Sequence, residues 1–292
     1  MRTILAFAAL VTAASSTMAI DIKALWNFND PVQSEQRFRA ALATAGADEA
    51  FILQTQIART YGLRGEFTQA RDILKELEPR LPDAGSEART RYWLELGRTY
   101  SSAAHPPESQ TAEVRERAHR AYDRAYESAR HGKLDTLAVD ALHMLAFVDT
   151  KPADQLKWGQ KALAIALASS QPAARAWEAS LRNNIGYALY QLGRYEEALD
   201  QFQQAVVLRE RGNDAEATRI AHWMVAWTLR AMGRIDEALA MQLRLEAENK
   251  KAGTPDPDVY DELEHLYRAK GDAARAEHYA ALKKAAGKQP ED

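Results

Sequence analysis

Along residues 183–202, NNIGYALYQLGRYEEALDQF, apolar positions fall at helical spacing twice: Ile185 and Leu189 on one stretch, Ala198 and Phe202 on the next, with Ala205 just beyond. A Leu-Gly-Arg break separates them. Aligned on Gly186, the stretch has Gly193 seven residues later and Ala198 twelve residues later. The same offsets join Ala58 to Gly65 and Ala70, Ala226 to Gly233 and Ala238, and Glu264 to Gly271 and Ala276. Each set predicts a helix, a reversal at a glycine free to take positive φ, and a second helix whose alanine lets the two backbones approach. In the first of these units Ile57, Tyr61, Phe67, Leu74 and Leu77 take the large apolar positions, and Pro82 is expected to stop the second helix. One such hairpin cannot bury both its faces, so copies must stack.

Two further units fill the interval. YWLELGRTY, residues 92–100, supplies Trp93, Leu96, Gly97 and Tyr100, and Ala118, Tyr122 and Ala125 follow after a loop. A degraded unit carries Leu145, Ala146, Ala162 and Leu163, which makes six hairpins. The pattern resembles the tetratricopeptide repeat over residues 50–285. That resemblance implies an all-α, right-handed superhelical solenoid of antiparallel hairpins. Positions 58, 97, 146, 186, 226 and 264 are 39, 49, 40, 40 and 38 residues apart, against a basic period of about 34, so the helices are expected to be longer than standard. The longest interval holds SSAAHPPESQT, residues 101–111, which reads as a loop.

Ahead of the first hairpin, residues 20–49 read as a cap: an unpaired helix starting at Asp30-Pro31 and ending near Gly46, with Trp26, Phe28 and Phe38 sealing the stack. Residues 1–19, MRTILAFAALVTAASSTMA, have Arg2 before an apolar run and small residues at Thr17 and Ala19, the pattern of a signal peptide cleaved before Ile20. The run is shorter than the roughly 20 apolar residues that span a bilayer, so the mature chain is expected to be soluble and not membrane-inserted. Residues 286–292 read as a tail. The sequence has no cysteine, which excludes disulfides, thiolate metal sites and a Cys nucleophile. A net charge of -3 supplies no field for nucleic acid.

No phosphate loop, dinucleotide fingerprint, nucleophile elbow or HExxH motif is present. His143-Met144 and His222-Trp223-Met224 carry soft ligands, but a metal would need two hairpins to converge, and packing is the simpler reading. Neither metal nor cofactor is expected. In tetratricopeptide families one stripe of the first helix lines an inner groove that holds peptides. Carried over, it places Arg59, Arg98, His143, Phe147, Asn183, Asn184, Tyr187, Trp223, Trp227, Arg230, His265 and Arg268 there. Asn184 stands where an asparagine commonly holds peptide backbone in the family. The lysine and arginine set that clamps a terminal carboxylate in chaperone-binding members is not reproduced.

The reading is therefore an exported, periplasmic scaffold, without catalysis, that binds a protein or peptide partner in its groove. Homodimerisation through exposed edges of the stack and secretion beyond the outer membrane stay open. The competing reading is a receptor for a small apolar or aromatic ligand enclosed by the superhelix. An enzyme using His143, Glu262 and His265 is the least favoured, since its groups lie in different hairpins.

Overall fold

The computed structural model describes residues 20–286; the expected signal peptide and most of the expected tail lie outside them. It consists of six helical hairpins in series: α3 (Ala47–Leu63) with α4 (Phe67–Leu77), α5 (Ser86–Tyr100) with α6 (Ala112–His131), α7 (Asp135–Val148) with α8 (Pro152–Ala168), α10 (Glu178–Gln191) with α11 (Tyr195–Glu210), α12 (Ala215–Ala231) with α13 (Ile235–Ala252), and α14 (Pro257–Ala269) with α15 (Ala273–Ala286). Two helices precede them, α1 (Ile22–Leu25) and α2 (Pro31–Ala41), and the short α9 (Pro172–Arg175) links the third hairpin to the fourth. Among the described residues there is no strand, and no helix is long and apolar enough to cross a membrane.

Local chemistry sets the boundaries. Asp30, Asp214 and Asp256 cap α2, α12 and α14 by accepting backbone N–H bonds, and Pro31, Pro152 and Pro257 open helices where a missing N–H costs nothing. Four hairpins reverse at Gly65, Gly193, Gly233 and Gly271, with φ between 73° and 77°. That left-handed backbone is where glycine is favoured. The turn between α6 and α7 uses Lys133 instead, at φ 55°.

Two positions in the shared register are tied to what packs on them. A Cβ at Gly186 would stand 2.7 Å from the Phe202 ring, and one at Gly97 2.5 Å from the Tyr122 ring. Both rings are fully buried. Where the opposing residue is smaller, as with Leu74 against Ala58, the first helix carries alanine.

Three expectations need correction. Gly46 does not end α2, which stops at Ala41 and passes into a 3-10 turn over Leu42–Thr44; Gly46 is the N-cap of α3, its N–H held 3.1 Å from the Glu49 carboxylate. Pro82 does not stop α4 either. The helix ends at Leu77 and continues as a 3-10 segment, Glu78–Asp83, because Pro79 already withdraws a donor. At the cap, Phe38 is sealed and meets Trp26 edge-on at 5.0 Å, but Phe28 stacks on the outer face of Trp26 and stays 57% exposed.

The loop after α5 is pinned. Tyr122 donates its hydroxyl proton to the Ser101 carbonyl at 2.6 Å, and Ser101 donates to the Gln110 side chain at 2.5 Å. His105 lies flat on Phe67, 3.7 Å between centroids. Its Nδ1 accepts from the Ser102 N–H, so Nε2 holds the proton that faces the Thr99 carbonyl.

Candidate binding groove

The first helices of successive hairpins are bridged one to the next by the side chains that the repeat register assigns to the inner face. Between α3 and α5, Arg59 lies 3.6 Å from Glu95. Between α5 and α7, Arg98 donates to both oxygens of Asp140 at 2.6 and 2.7 Å, while its other arm donates to Glu95 at 2.7 Å. The Asn184 amide on α10 donates to His143 Nδ1 on α7 at 3.1 Å. Trp227 on α12 stacks 3.5 Å from Tyr190 and 6.0 Å from Tyr187, both on α10. Arg230 on α12 meets Glu262 on α14 with two bonds of 2.7 Å. The result is a continuous seam, ionic at both ends and aromatic in the fourth joint.

Burial gives this seam its electrostatics. For Arg98, burial alone would lower the pKa, but Asp140 and Glu95 more than reverse it and hold the guanidinium above its ordinary range. Burial would raise Asp140, and the charges of Arg98 and Arg59 with the bond from Arg98 outweigh it, so the carboxyl sits below its usual value. Arg59 is lowered, first by burial and then by the like charge of Arg98. His143 is lowered by burial, Asp140 pulling the other way, and its Nδ1 acts as acceptor. Arg98 and Asp140 thus hold each other charged, while Arg59 is the member that burial leaves least compensated.

The candidate residues divide on this geometry. Arg59, Arg98, His143 and Phe147 line one cavity of about 270 Å³ between α3, α5 and α7, roofed by Ser102 to Ala104 of the pinned loop and closed on one side by Trp177. Tyr187, Trp223 and Trp227 form a second group; Trp223 stacks on Trp227 at 5.7 Å, and Tyr187 is 44% exposed. Arg230 belongs to the last joint of the seam. His265 and Arg268 are exposed, paired within α14 to Asp261 and Glu264. Asn183 is half-buried, and Asn184 spends its amide on His143 rather than facing a partner. His143 does not converge with Glu262 and His265, which lie three hairpins away, and both oxygens of Glu262 are taken by Arg230.

Asp140 and Trp177 were not singled out beforehand. Asp140 precedes His143 by three residues on α7, one turn along the same stripe predicted to face inward, so register contained the signal. Trp177 precedes α10 in a linker that the repeat pattern does not cover. Among the described residues no cluster of three or more His, Asp or Glu stands ready to hold a metal.

Residues 177–247 match the family model of the tetratricopeptide repeat. No curated protein matches the sequence. Among solved structures, the apo form of RapI superposes with a TM-score of 0.73 at 12% identity, over 92% of this chain and 75% of that one. A signal transduction ATPase with numerous domains, bearing a tetratricopeptide repeat sensor, from Pyrococcus horikoshii gives 0.67 at 14% identity, over 88% of this chain and 39% of its own. A Rap protein complexed with competence and sporulation factor gives 0.54 at 15% identity, over 90% and 75%. These likenesses concern the fold. The protein is a tetratricopeptide-type solenoid of helical hairpins, with the repeat itself matched at 177–247.

Proposed function

We propose that the protein is an exported interaction scaffold, without catalytic activity, that holds an extended peptide or a helix of a protein partner along the inner face of its first helices. The observation that carries this reading is the aromatic surface of Tyr187, Trp223 and Trp227. Its rings are already stacked and therefore rigid, yet Tyr187 is 44% exposed. Preordered aromatic area of this kind supplies binding energy with little further loss of side-chain entropy. Support in kind comes from the fold, since one of the Rap structures it resembles contains competence and sporulation factor. The leader-like residues 1–19 support export to the periplasm, with Ile20 as the first residue of the mature chain.

Capture of partners from a periplasmic extract by the protein and by Tyr187→Ala tests the reading. Tyr187 contributes an exposed face and its removal spares the 3.5 Å contact of Trp227 with Tyr190, so the variant should fold. Loss of a specific partner in the variant is the expected outcome. An unchanged set of partners removes the aromatic surface from the proposal. Mass spectrometry of the exported chain checks the start at Ile20.

A further inference from the structure

The cavity between α3, α5 and α7 combines a charged floor with an apolar wall, and its charges are unequally satisfied. Arg98, Asp140 and one oxygen of Glu95 are joined by bonds of 2.6 to 2.7 Å. Among the described residues Arg59 donates no hydrogen bond: it lies 5.5 Å from each of the Trp26 and Phe28 ring centroids and 3.6 Å from Glu95, and its Nε is buried without a partner. A guanidinium carries five N–H donors, and leaving them unmet in a part-buried site is unfavourable.

Among the described residues the second oxygen of Glu95 is also unpartnered, but the Glu95 side chain is only 2% exposed, whereas that of Arg59 is 25% exposed. The buried Arg59 Nε is out of reach, so a ligand would meet the exposed part of the guanidinium. Around it stand Leu63, Met144, Phe147, Trp177 and Ala103. Leu63 is 42% exposed and Phe147 47%, so the mouth itself is apolar.

We propose that this cavity binds a small organic monocarboxylate, its carboxylate on Arg59 and its apolar body between Leu63, Met144, Phe147 and Trp177. The volume of about 270 Å³ sets the size. At roughly 30 Å³ for each water-sized group it holds about nine non-hydrogen atoms, the size class of phenylacetate or octanoate. A second carboxylate on the ligand would meet Asp140 and Glu95, so a diacid is disfavoured. A primary ammonium finds Asp140 committed to Arg98 and the free oxygen of Glu95 buried, and is repelled by Arg59. A neutral amide of the same shape fills the cavity but brings no charge to the guanidinium, whose acidic neighbour, Glu95, is shared with Arg98. The site is separate from the Tyr187 surface and stands whether or not a peptide binds there.

Titration calorimetry on the full chain with phenylacetate and octanoate, against phenylacetamide and octanamide, tests the proposal. At least one acid should bind tenfold or more tightly than its amide. Arg59→Gln should abolish the preference, with circular dichroism confirming that it folds. Because Arg59 also faces the buried Glu95, Phe147→Ala serves as a second variant; its side chain is half-exposed, and its loss should weaken the acid severalfold. Equal affinity of acid and amide, binding of neither, or acid preference surviving in folded Arg59→Gln overturns the proposal. None of these results bears on Tyr187-dependent capture of a partner.

Discussion

At the scale of single residues, spacing in the repeat follows from what must fit between two helices. Gly97 and Gly186 occupy the same register position as Ala58 and Ala226, and the opposing side chain decides which is tolerated. Gly186→Ala would place a methyl 2.7 Å from the fully buried Phe202 ring, which has no room to withdraw. The better helix propensity of alanine offsets part of the damage, by about 0.5 to 1 kcal/mol, but overpacking costs typically about 1 to 3 kcal/mol. A lower melting temperature is therefore expected, and the double variant Gly186→Ala, Phe202→Leu should recover part of it. This layer was legible in the sequence because glycine, alanine and aromatic residues report distances directly. The partners chosen by Arg98 were not, since an arginine on an inward stripe can face solvent, a ligand or the next helix, and only the placement of Asp140 decides among them.

At the scale of the helix, the inward stripe does two things. Register was sufficient to place most of the residues that bridge the first helices, but it could not tell seam from groove. Thr55 and Leu94 stand at the same position as His143 and Trp223, yet both are fully buried in the N-terminal hairpins. Leu94 is buried in the cluster that α5 forms with α6 and α7, and Trp26 of the cap reaches Gln56 beside Thr55, contacts that no period announces. One consequence is measurable by pH. Burial is the leading cause that lowers the pKa of both His143 and His105 from the ordinary value of 6.5. Below about pH 6.5 the unfolded chain then binds more protons than the folded one. Stability should hold level above that value and fall as pH drops through it, before Asp140 and Glu35, both held low by arginines despite burial, begin to protonate near the carboxylate range. Melting temperatures between pH 7.5 and 5.5 would show the decline, and His143→Gln should flatten it. A decline of the same slope in that variant would assign the effect elsewhere.

At the scale of the whole molecule, each described hairpin packs chiefly on its neighbours, so the effect of a lost contact should stay local. The last hairpin gives the sharpest case. Its apolar cluster joins Val259, Leu263, Tyr267 and Tyr279 to Leu245 of α13, while Leu266 reaches back into the preceding cluster. The ionic tie across the joint is Arg230 to Glu262. Arg230→Ala leaves the Glu262 carboxylate, with 4% of its side chain exposed, without its counter-charge. Stranding a buried polar partner costs about 1 to 3 kcal/mol, a figure at the low end for this pair because 27% of the arginine side chain is exposed and water screens it. If the joints are energetically separable, that loss appears only where opening the terminal hairpin is the easiest motion. Amide exchange in α14 and α15 should then accelerate about fivefold, at roughly 1.4 kcal/mol per factor of ten, while amides of α5 to α7, behind the Arg98 cluster, exchange as before. Uniform acceleration in all six hairpins would mean that the stack opens as one cooperative body, and the seam of inner-face bridges would then have to be credited with coupling the ends of the solenoid.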